Sequence, residues 1–427
     1  MFRLARVPKF LLTGCMLAAA GELAYPPDEA LQLVAITLKQ NPALASARLS
    51  ANVAHSQSEQ NRAWEAPEVG IQAYQTPVAS FPNPVKNGME YDYSISQVIP
   101  FPGKLDAMAK PHHLHGNAEQ KRADAFAIEL RREVLSAYAE LYSADWQVKL
   151  IREDRVEVDR LLAITRRIYE AGTGTQADLL RIESERVRLD IDALEAAQKE
   201  AEARASIVSL LGDNRAGINM PDSIAPGQLN IGVDSLGSLA LERRPDLDAM
   251  RQEVFMAKAE ITSKGQEAYP DFSLQGVYKD MRTDVGARGF WSLGVGMKVP
   301  FAPWSWKGVK AGTEQARILL RKSEKDYTSA KLMVRADVER AFAELSFASG
   351  RLDLATNRRI PLANQTLQSS LSAYRGGKGD FNSVIMAFRE LREARQKYHT
   401  AVADHLKAWA SLEWATGGTL NVSVSKG

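Results

Sequence analysis

Four short stretches of this chain alternate apolar and polar positions with a period of two, while two very long stretches carry apolar residues at helical spacing. Trp291, Leu293, Val295, Met297 and Val299 alternate with Ser292, Gly294, Gly296 and Lys298. Phe272, Leu274, Gly276 and Tyr278 alternate with Ser273, Gln275, Val277 and Lys279, and Tyr91, Tyr93 and Ile95 with Asp92, Ser94 and Ser96. Val69, Ile71 and Ala73 alternate with Glu68, Gly70 and Gln72. A period of two predicts β-strands, and strands of about ten residues with one apolar and one small or polar face are what a lipid-facing barrel presents. A soluble two-sheet sandwich also alternates; aromatic residues near the strand ends and Gly and Ser on the polar side favour the membrane. The intervening stretches, Thr76 to Met89 and Asp280 to Gly289, are Pro-, Gly- and Asn-containing and are expected to be outward-facing loops.

Lys104 to Ala171 and Lys307 to Arg375 run for about seventy residues each with few helix breakers. At 1.5 Å per residue such a helix is about 100 Å long. Ile128, Leu135, Tyr138, Leu141 and Leu150, then Leu161, Ile164 and Ile168, follow heptad-like spacing and predict a coiled-coil core. Each long helix ends at a glycine turn, Gly172-Thr173-Gly174 or Gly376-Gly377-Lys378-Gly379, and a last helix follows. Glycine supplies the left-handed backbone that such a reversal needs.

The two sets of elements are copies. Asn41-Pro42-Ala43-Leu44 returns as Arg244-Pro245-Asp246-Leu247, Ala66-Pro67-Glu68-Val69 as Tyr269-Pro270-Asp271-Phe272, and Pro100-Phe101 as Pro300-Phe301. Ala137 to Leu141 matches Ala341 to Leu345, and Tyr169 to Gly172 matches Tyr374 to Gly377, all in order and at a nearly constant spacing of about 200 residues. The expected organisation is a signal segment at 1–24, a first repeat at 25–211, a linker at 212–235, a second repeat at 236–417 and a tail at 418–427. Each repeat places a short helix before its proline, a second helix after it, two strands, a long helix, a turn and a last helix.

Four strands cannot seal a bilayer. Their free edges would leave N–H and C=O groups unpaired in hydrocarbon, each at a cost of several kcal/mol. Copies of the chain must close the edges. Eight strands are roughly filled by their own side chains, so three copies and twelve strands make the smallest ring expected to conduct. The fold class is thus mainly α with a transmembrane β-barrel: a long helical-hairpin tunnel plus four strands per chain.

Charge and composition narrow the function classes. Lys plus Arg number 54 against 52 Asp plus Glu, a balance that gives no bulk attraction to nucleic acid. No Gly-x-Ser-x-Gly, phosphate-binding glycine loop or metal-spaced ligand cluster is found, so neither an enzyme nor a cofactor is expected. His112, His113 and His115 are weak metal candidates, because 112 and 115 share a helix face while 113 points elsewhere. Pro111 beside them is expected to kink the long helix or make its start irregular.

The N-terminus carries Arg3, Arg6 and Lys9 before an apolar stretch from Phe10 to Ala20, the form of a secretory signal. Leu12-Thr13-Gly14-Cys15 resembles a lipobox that would leave Cys15 lipidated, whereas cleavage after Ala20 or Ala24 would discard it. Beyond residue 25 no apolar run approaches the ~20 residues of a transmembrane helix.

Paired strands, long helices ending at a Tyr-x-x-Gly turn and two-fold repetition resemble the outer-membrane efflux (TolC-like) family over essentially the whole mature chain. The most specific segments are Asn41 to Leu44, Gln97 to Lys104 and Ala373 to Phe381. The resemblance implies a homotrimer in outer-membrane lipid, docking a periplasmic adaptor and an inner-membrane pump of the RND type as a passive export conduit for small solutes. The stretch Pro100-Phe101-Pro102-Gly103-Lys104 is similar to members serving heavy-metal cation exporters. The resemblance places Tyr169, Gly172, Gly174, Tyr374, Gly377 and Gly379 at tips that meet the adaptor. It places Asp178 at the periplasmic gate, with Ser383 and Met386 standing where relatives often have acids and Asp380 as the acid that could substitute. The competing reading is a periplasmic coiled-coil adaptor or scaffold without a channel; one helical hairpin and no duplicated strand pairs would then be expected.

Overall fold

The computed structural model describes residues 25–80, 82–83, 88–212, 218–283, 286–300 and 302–420. The signal segment with Cys15, parts of the linker and outer loops, Phe301 and the end of the tail lie outside them.

Each repeat opens with two helices hinged at a proline. Helix α1 (Asp28–Gln40) stops at Asn41, whose side chain accepts from the N–H groups of Ala43 and Leu44 at 2.9 and 3.1 Å and so caps α2 (Pro42–Arg62). Proline suits the first turn, where its missing N–H is no loss. In the second repeat, α5 (Val233–Arg243) and α6 (Pro245–Gln266) are hinged at Arg244, whose guanidinium bonds Asp246 and Asp337 and lies over Trp414.

Strands β1 (Glu68–Tyr74), β2 (Glu90–Ile99), β3 (Asp271–Thr283) and β4 (Gly286–Lys298) form one antiparallel sheet in chain order. Register sorts the side chains onto two faces. Ile71, Tyr93, Tyr278 and Trp291 stand in one row, with Val69, Ile95, Gly276 and Leu293 in the next on the same face. Trp291 is 82% and Val295 75% exposed, so this apolar face has no partner among the described residues. The opposite face carries Ser94 with Ser292, Ser96 with Gln275 and Gly294, and Asp92 with Lys279. Strands β1 and β4 are edges, with no further strand beside them among the described residues.

The second outer loop is shorter than its sequence suggested. Pairing continues from Asp280↔Gly289 out to Thr283↔Gly286, so most of 280–289 is hairpin. Arg282 and Arg288 are exposed there, as suits a solvated strand end.

Helix α3 (Lys104–Glu170) spans 67 residues and returns through α4 (Gln176–Leu211). It is helical from Lys104 through Pro111 without a break, rather than starting irregularly there. The proline ring is buried and α2 is fastened alongside, Ser58 Oγ donating to the Ala109 carbonyl at 3.0 Å. The second long helix does break. Helix α7 (Pro303–Leu354) passes through a π-helical turn, Ala355–Arg359, into α8 (Ile360–Arg375). Pro361 has no N–H for the Asn357 carbonyl, and a widened turn absorbs that loss. Helix α9 (Phe381–Thr416) completes the second hairpin.

Two cores hold the helices. One joins α1, α3, α5, α7 and α9 around Tyr138, Tyr142, Leu406 and Trp409. The other lies near the turns, where Val158, Leu161, Ile182, Leu371, Phe381 and Val384 bring both hairpins together. The heptad positions Leu135, Tyr138, Leu141, Leu150 and Leu161 are all buried, while Ile128, Ile164 and Ile168 are half-buried.

Candidate functional site: the hairpin tips and the entrance

In the first tip, α3 ends as Gly172 turns left-handed at φ 74°, and the N–H groups of Thr173 and Gly174 both donate to the Ile168 carbonyl at 3.1 Å. In the second, Gly377 takes φ 68° and the Lys378 N–H donates to the Ala373 carbonyl at 2.9 Å. These bonds satisfy carbonyls left free at the helix ends. Tyr169 is half-exposed, whereas its counterpart Tyr374 is buried against Phe381, their ring centroids 5.2 Å apart.

The residues after the turns cap the return helices with their roles exchanged. Thr175 caps α4: its hydroxyl accepts from the Asp178 N–H at 3.3 Å, and the Asp178 carboxylate accepts from the Thr175 N–H at 3.2 Å. In the other tip the acid itself is the cap, Asp380 accepting from the Ser383 N–H at 2.7 Å. The acid has moved one helical turn toward the tip, which accounts for serine at 383. That bond to Ser383, with Arg181 nearby, holds the Asp380 carboxyl below the usual carboxylate range. Burial raises the Tyr374 hydroxyl above its ordinary value and the Asp178 charge adds to this, so the two tips sense each other's side chains. Met386 is 62% exposed, with the Asn382 amide 3.8 Å from its sulfur. Thus Asp178, Asp380, Ser383 and Met386 lie within the first turns of the two return helices.

A charged ladder behind the tips was not anticipated. Arg389 Nε of α9 donates to the buried Glu185 of α4 at 3.0 Å, Arg392 bridges Asp154 of α3 (3.2 Å) and Asp192 of α4, and Arg395 reaches Glu153 at 3.9 Å. Burial pushes the Asp154 carboxyl up to about 6 despite the pull of Arg392. The three arginines recur every three residues along α9, a spacing visible in sequence, but their acids come from two other helices.

The histidines divide. His115 Nε2 lies 3.9 Å from Glu119, while the His113 ring meets His55 of α2, a residue the sequence reading passed over. Among the described residues no three His, Cys, Asp or Glu side chains converge as a metal site.

A sheet with one bare apolar face, mounted on two helical hairpins each longer than a globular domain, defines a channel protomer. The chain belongs to the outer membrane efflux protein family, whose pattern matches residues 33–213 and 236–418. It is 23% identical over 327 residues to nodulation protein T of Rhizobium leguminosarum bv. trifolii, covering 73% of this chain and 68% of that one. It is 21% identical over 296 residues to the cobalt-zinc-cadmium resistance protein CzcC of Cupriavidus metallidurans, covering 68% of each. The crystal structure of CusC superimposes with a TM-score of 0.76 at 19% identity over 92% of both chains. The protein is therefore the outer-membrane channel component of a tripartite export system, with its helical domain in the periplasm. The adaptor-or-scaffold alternative falls with the family match and the duplicated strand pairs.

Proposed function

We propose that three copies join their sheets edge to edge into a twelve-stranded barrel, with six hairpins hanging below it as a tunnel. The supporting observation is the pair of bare edges, β1 and β4, on a sheet whose apolar face belongs in hydrocarbon. The chain reaches the outer membrane by the signal at 1–24, with Cys15 either lipidated or removed. Tyr169, Gly172, Gly174, Tyr374, Gly377 and Gly379 meet a periplasmic adaptor bound to an RND-type pump. Asp178, Asp380, Ser383 and Met386 line the closed periplasmic gate. The conduit is passive and carries small solutes, with heavy-metal cations the favoured class; the likeness to CzcC supports this. Outer membranes solubilised in detergent are expected to yield heat-modifiable trimers, and deletion of the gene to raise sensitivity to divalent metals. Monomers that stay in solution without detergent would defeat the assembly; unchanged metal sensitivity with intact trimers would remove only the cargo.

A further inference from the structure

Below the sheet, helices α2 and α3 approach each other through small residues: Ala51, Ala54 and Ser58 on one side, Ala109 and Gly116 on the other, all buried. Close approach of this kind lets one helix lay a large side chain across the backbone of the next. His55 does so. A Cβ added at Gly116 would sit 2.6 to 2.8 Å from three atoms of the His55 ring, so only glycine leaves room for the imidazole. Glycine inside a helix costs roughly 0.5–1 kcal/mol relative to alanine, and here that cost creates a cradle. His113 lies three residues before Gly116, on the same helix face. It is thereby brought to His55, with ring centroids 5.1 Å apart and planes inclined at 63°.

We infer that His55 and His113 form a two-imidazole site for a borderline divalent transition-metal ion, Cu2+, Ni2+ or Zn2+, with water completing the coordination. Two imidazoles bound to one tetrahedral ion at the usual metal–nitrogen distance of about 2.0–2.1 Å have centroids roughly 5 Å apart, which is the spacing present here. The set is nitrogen only, which suits these ions rather than Mg2+ or Ca2+. Of the histidines on this stretch of α3, it is His113 whose ring meets His55, whereas His115 faces Glu119. With two protein ligands the ion is held weakly and exchanges, and while bound it staples α2 to α3 beneath the sheet. The site does not depend on the identity of the cargo.

The test uses the tag-free full chain in detergent, titrated with Cu2+, the divalent ion that nitrogen sites hold most tightly. One ion per chain is expected, with an electron paramagnetic resonance spectrum of two coupled imidazole nitrogens. His55→Ala and His113→Ala should each weaken binding by roughly tenfold or more, and Gly116→Ala should weaken it by displacing the His55 ring. His112→Ala and His115→Ala should leave spectrum and affinity unchanged. His113 is exposed, so its replacement leaves the fold intact even where that of His55 disturbs packing. Wild-type binding in His113→Ala, or equal loss in His115→Ala, would overturn the assignment.

Discussion

Arg389 on the last helix pairs with Glu185 on the first return helix, its Nε 3.0 Å from a carboxylate that is fully buried. Truncating Arg389 leaves that carboxylate without its countercharge, whereas neutralising both partners does not. Arg389 is half-exposed, so the loss is screened and should amount to about 1–2 kcal/mol. Hydrogen exchange of the return helices in Arg389→Met should quicken accordingly, and the double variant with Glu185→Gln should recover protection. Equal exchange in all three proteins would show the pair to be idle.

Asp154 gives the packed hairpins a pH dependence of definite sign. Its folded-state pKa, raised by burial to about 6, lies above the ordinary carboxylate value. The native state therefore holds the proton more tightly than the unfolded chain, and stability falls as pH rises from about 4 through about 6. Asp154→Asn should flatten the unfolding midpoint over that window, with a difference from wild type on the order of 1–3 kcal/mol above pH 6. Parallel pH profiles for the two proteins would refute it.

Asp178 has a local duty beside its proposed place at the gate. Asp178→Ala removes one half of the capping box and should fray the first turn of its helix by about 0.5–1 kcal/mol. In planar-bilayer recordings the same change should alter cation block or conductance. Frayed exchange with unaltered currents would leave Asp178 as a cap alone.

Gly377 turns the second tip in a backbone region that side chains avoid. Gly377→Glu adds strain of about 1–2 kcal/mol and a charge at the extreme end of the hairpin. Cross-linking to the adaptor should drop sharply; full cross-linking would move the contact elsewhere.

Val295 and Ser292 test which face meets lipid. Val295→Arg, on the bare face, should cost about 2–4 kcal/mol and lower the melting temperature of the detergent-stable oligomer. Ser292→Arg, on the other face, should leave assembly unchanged and alter ion selectivity. The reverse pattern would invert the barrel.

The architecture was legible because its signals are periodic and repeated: alternation at 291–299, heptads from Leu135 to Leu161, and matched prolines at 42 and 245. Terminal details were less so. Residues 280–283 and 286–289 pair as strand although their composition suggested a loop, since register is set by the rows beneath. Pro111 and Pro361 look alike in sequence, yet one is absorbed in a helix and the other opens a π turn. The neighbours decide, and neighbours are tertiary. The same holds for His55 and Glu185, whose partners lie 58 and 204 residues away and acquire meaning only when helices from different segments meet.

Strands β1 and β4 also bear on how the molecule is made. A lone protomer on its way through the periplasm carries two sticky ribbons and a greasy plate that none of the described residues covers, and like pairs with like at such borders. Completion of the sheet is thus a meeting of molecules rather than an event within one. Its yield rises steeply with supply, and the resistance of the finished object to heat is a property of the amount present as much as of the sequence.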